Sequence, residues 1–246
     1  MCIINCIKDT LNMCIGNMNT TKIMMSDGIG FVECLETFGD DLTVVNAARV
    51  SFDKVSNALT NADKKLIHYL ANHDHVSPFF HPQIRLRIKM PIFVCREYFR
   101  HNIGLSRNEV SRRYVDYVPE CWVPDPSQIR ERDPNAKQGS KQNPIEESNQ
   151  AWTLMNSQCQ SSIDTYNRLL TLGVAPEIAR SILPQSMYSL FFETGSLGAY
   201  ARICNLRLDT SAQKEIREYA TAIHQLMTER FPISWDALSC KFKNSE

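Results

Sequence analysis

Residues 81–101 read HPQIRLRIKMPIFVCREYFRH, and the spacing of their apolar side chains changes at Pro91. Before Pro91, Ile84, Leu86 and Ile88 alternate with basic residues, a period of two that is typical of a half-exposed antiparallel strand. Pro91 suits the first position of a helix, because that position needs no amide N–H, so a helix is predicted over IFVCREYFRH. The segment therefore predicts a sheet strand that leads directly into a helix.

Further strands and helices are predicted on both sides of this segment from hydrophobic period, capping residues and helix-ending glycines. In chain order they are a strand at 30–37, a helix opened by Asp40-Asp41, a helix capped by Asn61, a helix over 146–172 ended by Gly173, a short helix opened by Pro176, a buried strand at 187–194, and helices at 197–207 and 210–231. The elements do not alternate regularly, so the predicted class is α+β. We expect a largely antiparallel twisted sheet packed with helices in a single domain.

The ends and one internal stretch are expected to lie outside this core. Residues 1–22 are predicted to be a disordered leader outside the fold, which leaves 23–246 as the single domain. Five prolines fall between 115 and 145, and a polar run there predicts a surface insertion around 127–147. The formal net charge is zero, from 27 basic and 27 acidic residues, which argues against a large basic face for nucleic acid.

The nine cysteines are scattered along the chain and form no CxxC pair. This pattern indicates reduced thiols and therefore a cytoplasmic, intracellular protein. No apolar stretch approaches the roughly 20 residues that a membrane span needs, so no membrane partner is expected.

The richest chemistry lies in RHNIGLSRNEVSRRY, residues 100–114, which holds four Arg, one His and one Glu. Arg side chains grip phosphate at two points, and Ser hydroxyls with loop amides complete an anion site, so a basic surface loop that binds an anion is predicted. Two other interpretations stay open: a merely solvated basic loop, and a nucleic-acid-binding module that uses the Arg100–Arg113 loop.

A second cluster, HDHVSPFFH at 73–81, contains three histidines. Their spacing matches no usual zinc pattern, so no metal site is predicted. A loop that packs against an aromatic cofactor fits this cluster as well as any other role.

These segments together resemble the flavin-dependent thymidylate synthases. RHNIGLSRNEVSRRY is similar to the signature of that family, Arg-His-Arg followed by a short gap and Asn-Glu-x-Ser-x-Arg-Tyr. Five further blocks resemble the family in the family's order, and together they cover about residues 23 to 235: NAARVSF (46–52), HVSPFFH (75–81), MPIFVCREYFRH (90–101), PEIARSILP (176–184) and NLRLDTSAQKEI (205–216).

The resemblance implies the reductive methylation of dUMP to dTMP. It implies FAD as cofactor, NADPH as reductant, 5,10-methylenetetrahydrofolate as carbon donor, and a homotetramer with active sites at subunit interfaces. By position, dUMP would contact Glu97, Arg100, Glu109, Ser111, Arg112, Arg113, Arg180 and Arg207. FAD would contact His75, Ser77, Arg100, His101, Asn102, Ile103, Glu109, Ser196 and Arg202.

The sequence departs from the family signature in the loop that follows His101. Asn102 stands where the common form has Arg, and the gap between His101 and Glu109 is one residue longer. These departures keep an inactive relative open as an alternative.

Activation of the uracil ring is predicted to be electrostatic. A Cys nucleophile would be expected in a Pro-Cys-His setting, which does not occur, and Cys95 and Cys204 are expected to be core thiols. Arg207 and Arg112 are therefore the predicted catalytic residues, because guanidinium groups near the ring carbonyl would stabilise the charge that develops there. Ser111 has only Arg neighbours, which cannot act as a base, so it is assigned to substrate binding.

Overall fold

The computed structural model describes residues 21–115, 117–134, 139–240 and 242. Most of the expected leader, residues 1–20, lies outside the described residues. Its last two positions, Thr21 and Lys22, already belong to the first strand, so the described fold begins two residues before the expected boundary.

A five-stranded antiparallel sheet forms the centre of the molecule, with the strand order β1-β2-β3-β7-β4. The three predicted strands are confirmed as β2, β3 and β7. In central strand β3, Leu86 lies opposite Cys34 on one side and Glu193 on the other. The strands of this sheet are β1 (Thr21–Met24), β2 (Phe31–Phe38), β3 (Gln83–Pro91), β4 (Leu105–Glu109) and β7 (Tyr188–Ser196).

Strand β4 corrects the prediction of a surface loop over 100–114. Leu105 pairs with Gly195 and Glu109 with Phe191, so this stretch forms an edge of the sheet. Only Leu105 is apolar here, and the inward position two residues later is Arg107, whose charge is neutralised by an acid on β7. Hydrophobic period cannot reveal a strand whose buried face is an ion pair.

Eight α-helices surround the sheet in the described part of the chain. They are α1 (Asp41–Arg49), α2 (Asn61–Asn72), α3 (Ile92–Tyr98), α4 (Ser148–Thr171), α5 (Pro176–Ala179), α6 (Leu197–Arg207), α7 (Lys214–Arg230) and α8 (Pro232–Ser239). Within the described ranges, no helix combines the length and the apolar character that crossing a bilayer demands.

Three helix starts differ from the prediction, and α3 ends at Tyr98 rather than at the predicted His101. The cap of α2 is Thr60, not Asn61, because the Thr60 hydroxyl accepts from the amide of Asp63. Pro91 ends β3 and precedes α3 as its N-cap. Helix α7 begins later than expected, because the Asp209 carboxylate binds the amide and hydroxyl of Ser211 in a turn.

The hydrophobic core lies between the sheet and helices α6, α7 and α8. Ile84, Leu86 and Ile88 of β3 are fully buried, as their alternation predicted, and Trp235 of α8 is among the largest buried side chains. Full burial of a single large apolar side chain stabilises the fold by about 1.5–3 kcal/mol. This core fixes the positions at which α3 and α6 end, and those two ends carry the site described below.

The predicted surface insertion contains a two-stranded antiparallel hairpin of β5 (Arg130–Arg132) and β6 (Ser140–Pro144). Its anchor is an ion pair between Arg130 and Glu215 on α7, with an N···O distance of 2.8 Å. Lys214 also donates to the Gln128 side chain just before the hairpin. The hairpin therefore lies over the first turn of α7.

Candidate active site

The C-terminal ends of α3 and α6 bring together three residues that the sequence placed in the substrate and cofactor sites. Arg207, the last residue of α6, donates from Nη1 to Glu97 and from Nε to His101 Nε2, the latter at 2.9 Å. The side chains of Arg207 and Glu97 are 17% and 24% exposed, so the ion pair is largely shielded from water. The guanidinium is thus held in one orientation.

His101 is electrically neutral at physiological pH. Burial, together with the positive charges of Arg207, Arg107 and Arg202, lowers the pKa of its imidazole to about 4. Because Nε2 accepts the hydrogen bond from Arg207, the ring proton lies on Nδ1. One Nδ1–H donor therefore remains for a bound molecule.

This cluster borders a cleft of 840 Å³ between α3, the loop from α6 to α7, and the β5–β6 hairpin. The volume lies in the upper part of the range for small-molecule sites, about 300–1,000 Å³. Its ionisable lining is mostly basic and consists of Arg96, Glu97, Arg100, Arg130, Asp133, Arg207, Lys214 and Arg217. Four of these cations, on α3, the hairpin and α7, were not identified from the sequence. Only Arg96, one helical turn before Arg100, carried a signal that could have found it.

A buried ion pair supports the cluster from inside the sheet. Arg107 of β4 donates from Nε to Glu193 of β7, and Tyr98 donates its hydroxyl to the same carboxylate at 2.7 Å. The Arg107 guanidinium also lies over the rings of Tyr98 and Phe99, 5.2 and 5.0 Å from their centroids. No local sequence pattern reveals this pair, because Glu193 lies 86 residues from Arg107.

The turn before β4 carries backbone amides that could serve as donors. Gly104 has φ +75°, and within the described part of the chain the amides of Asn102, Ile103 and Gly104 donate to no backbone carbonyl. Arg202 holds this turn by donating to the Ile103 carbonyl at 2.5 Å. Because β4 pairs continuously from Leu105 onward, the extra residue of the signature is accommodated without breaking the Glu109 end of the strand.

Ser196 lies at the start of α6, and the histidine loop, residues 73–81, contacts that helix through its turn at Ser77–Phe80. Ser196 is buried, and its hydroxyl caps α6 by accepting from the Ala199 amide at 3.2 Å. His75 and Ser77 line a shallow cleft of 410 Å³ between the histidine loop and α1. No group of three His, Cys, Asp or Glu suited to a metal occurs in the described part of the chain.

Five of the residues predicted to bind dUMP do not lie beside Arg207 in the same chain: Glu109, Ser111, Arg112, Arg113 and Arg180. Glu109 accepts from Ser189, and Ser111 accepts from the Arg113 amide at 3.3 Å. Arg112, predicted to be catalytic, is buried and donates to the Tyr117 carbonyl. Arg113 and Arg180 are exposed on the surface, and no described contact joins either of them to the cleft.

Comparison with known proteins decides the family. The model of the family described as "Thymidylate synthase complementing protein" matches residues 34–233, which is most of the chain. The chain belongs to this family. One similar protein is described as "Flavin-dependent thymidylate synthase" of Kosmotoga olearia. It is 38% identical over 209 residues, and the match covers 85% of this chain and 89% of the relative. The protein of the same description from Thermosipho africanus is 39% identical, covering 85% and 90%.

A solved structure shows that the fold is shared as well. The crystal structure of a UMP/dUMP methylase, PolB from Streptomyces cacaoi, bound with 5-Br dUMP, aligns with a TM-score of 0.77 and 29% identity. The alignment covers 87% of this chain and 97% of that one. The α+β class is therefore confirmed, and the match favours the enzyme over the nucleic-acid-binding alternative.

The two cysteines that were expected to be core thiols lie in the core. Cys95 and Cys204 are buried, and burial raises the pKa of both thiols. The residues that line the 840 Å³ cleft include no cysteine. The structure thus agrees with the expectation that neither thiol is a nucleophile.

Proposed function

We propose that this thymidylate synthase family member methylates C5 of dUMP to give dTMP, with methylenetetrahydrofolate as carbon donor and FAD, reduced by NADPH, as hydride source. The observation that carries the proposal is the fixed Arg207–Glu97–His101 cluster beside a large cationic cleft. The solved relative bound with 5-Br dUMP supports the choice of substrate.

Arg207 supplies the activation of the substrate. An unactivated uracil is a poor nucleophile at C5, and a cation near a ring carbonyl stabilises the negative charge that develops as C5 attacks. Glu97 and the neutral ring of His101 hold the guanidinium in place before the substrate binds, so little reorganisation is needed in the reaction. Because His101 is uncharged, Arg207 is the cation of this cluster that stabilises the developing negative charge.

The donor set of the turn before β4 fits a dinucleotide cofactor. Its backbone amides at Asn102, Ile103 and Gly104 and the neighbouring Arg202 suit a pyrophosphate. Because Asn102 stands where the common signature has Arg, these amides and Arg202 would bind the pyrophosphate instead. His75, Ser77 and Arg100 would complete the FAD site. When bound, the reduced flavin supplies the reducing equivalents, while the protein positions it.

A tetramer would bring in the site residues that lie apart in one chain. Arg113 and Arg180 are exposed, and near Arg113 the apolar side chains of Tyr114 and Val118 are 74% and 65% exposed. Large exposed apolar side chains beside exposed arginines suit a surface that a second copy covers. We therefore assign Glu109, Ser111, Arg112, Arg113 and Arg180 to a site shared with a neighbouring subunit.

The cytoplasm is the expected location, since the six cysteines within the described residues are free thiols. A reducing compartment would keep them in this state. Fractionation of the native host cell, followed by thiol labelling, would check the assignment.

The decisive experiment follows both flavin and substrate. Purified protein reconstituted with FAD should be yellow, lose its flavin absorbance under NADPH, and release tritium from 5-tritiated dUMP only when methylenetetrahydrofolate is present. Flavin binding without tritium release would identify an inactive relative. Failure to bind FAD would refute the proposed function. NADH in place of NADPH tests the reductant separately.

A further inference from the structure

The 840 Å³ cleft carries more positive charge than one phosphate requires. Six cationic and two acidic side chains line it, although the chain as a whole has no net charge. Such a concentration of one sign in a concave surface attracts anions. The residues predicted to hold dUMP account for only Arg100 and Arg207 of these six.

The six cations differ in what they already bind. Arg207 is paired with Glu97, Arg130 is paired with Glu215, and Lys214 donates to Gln128. The guanidinium groups of Arg96, Arg100 and Arg217 form no hydrogen bond or ion pair with any described residue. Like charges gathered around one cavity repel one another, and a bound anion would relieve this repulsion.

Four of the cations stand in two pairs. Arg96 on α3 and Arg100 in the turn just after it form one pair, and Lys214 and Arg217 in the first turn of α7 form the other. Neighbours at these spacings lie about 5–6 Å apart between their Cβ atoms. Gly139, Ser140 and Gln142 of the hairpin form a third wall. A chain of several anionic groups can therefore contact both pairs.

We propose that Arg96 and Arg217, with Lys214, form a second anion subsite that binds the polyanionic end of a co-substrate. This inference rests on the proposed function, in which dUMP occupies Arg100 and Arg207. The ligand chemistry is a series of carboxylates or phosphates. Its two sources are the γ-linked glutamate tail of the folate and the phosphates of the dinucleotide reductant.

The kinetic test compares forms of each co-substrate that differ in the number of anionic groups. The wild type, Arg96→Gln and Arg217→Gln are compared by their KM values. These are measured for the mono- and tetraglutamate forms of methylenetetrahydrofolate and for NADPH and NADH. The tetraglutamate should bind about tenfold more tightly than the monoglutamate in the wild type, and this ratio should approach one in the variants. If the subsite instead holds the reductant, the NADPH-to-NADH ratio changes and the folate ratio does not. Lys65→Gln, an exposed cation on α2 away from the cleft, is the matched control.

Direct binding separates failure of the subsite from failure of the proposed function. Calorimetry with inorganic tripolyphosphate requires no turnover, and the double variant Arg96→Gln/Arg217→Gln should bind it at least tenfold more weakly than the wild type. The difference should shrink in 0.5 M salt. Equal binding by both proteins, or unchanged kinetic ratios for both co-substrates, would overturn the subsite. If the wild type binds tripolyphosphate and the double variant does not, but the wild type makes no dTMP, the subsite is supported and the proposed function alone is refuted.

Discussion

Replacing Arg107 with Met should destabilise the fold more than any exposed ion-pair change on the sheet. Glu193 is fully buried and Arg107 is 14% exposed, so the substitution leaves a carboxylate inside the protein without its cation. Removal of one partner of a buried pair typically costs about 3–5 kcal/mol. Met keeps much of the packing against Tyr98 and Phe99, so the loss comes mainly from the unpaired charge.

The cost should depend on pH, and its sign follows from the pKa of Glu193. Burial raises that pKa, while the Arg107 charge and the Tyr98 hydrogen bond oppose the increase. Without Arg107 the pKa rises further above the unfolded value of about 4.3. The unfolded chain then releases its proton at lower pH than the folded chain, so the stability of the variant falls as pH rises through this interval. The deficit should therefore be smaller at pH 5 than at pH 8.

Urea unfolding of the wild type and Arg107→Met at both pH values measures the effect. The matched control is Arg85→Met on β3, whose pair with Glu36 joins side chains that are 50% and 46% exposed and should contribute less than about 1 kcal/mol. Adding Glu193→Gln to Arg107→Met should recover about 2 kcal/mol. A deficit equal to that of Arg85→Met, or one that is independent of pH, would refute the reasoning.

Three further predictions concern the site. Arg207→Ala should lower kcat by about 10²–10³-fold in the tritium-release assay, because the positioned charge at the uracil is lost, and retention of flavin absorbance would show that the fold survives. Gly104→Ala should lower the free energy of unfolding in urea by about 1–2 kcal/mol, because φ is +75° at this position. Gly28→Ala, at φ +71°, is the reference for the same backbone strain away from the site. The His101 imidazole should titrate with a pKa of about 4 by NMR. The part of the folding free energy that depends on the neutral ring should therefore be lost as pH falls from 6.5 toward 4. A pKa near 6.5 would contradict the burial of the ring and the positive charges around it.

The sequence predicted the elements whose burial is apolar. The alternation in β3 and the buried run of β7 each follow from side chains that pack on one side of a sheet or on both. Helix α6 was predicted over its observed span, Leu197–Arg207. The resemblance to the family likewise implied site roles for Glu97, His101 and Arg207, which the structure brings into contact.

Tertiary structure alone decided the features that depend on pairs distant in sequence. Strand β4 was predicted as a loop because its inward side chain, Arg107, is a charge that becomes compatible with burial only beside Glu193. The cationic cleft is formed by α3, α7 and a hairpin that are far apart in the chain, so no local pattern could show that their arginines converge. The sequence therefore predicted the α+β class, the family and the residues of the central cluster, but not their contacts with one another. The fold determined which charges are paired and which remain to bind an anion, because electrostatic partners are chosen by distance in space.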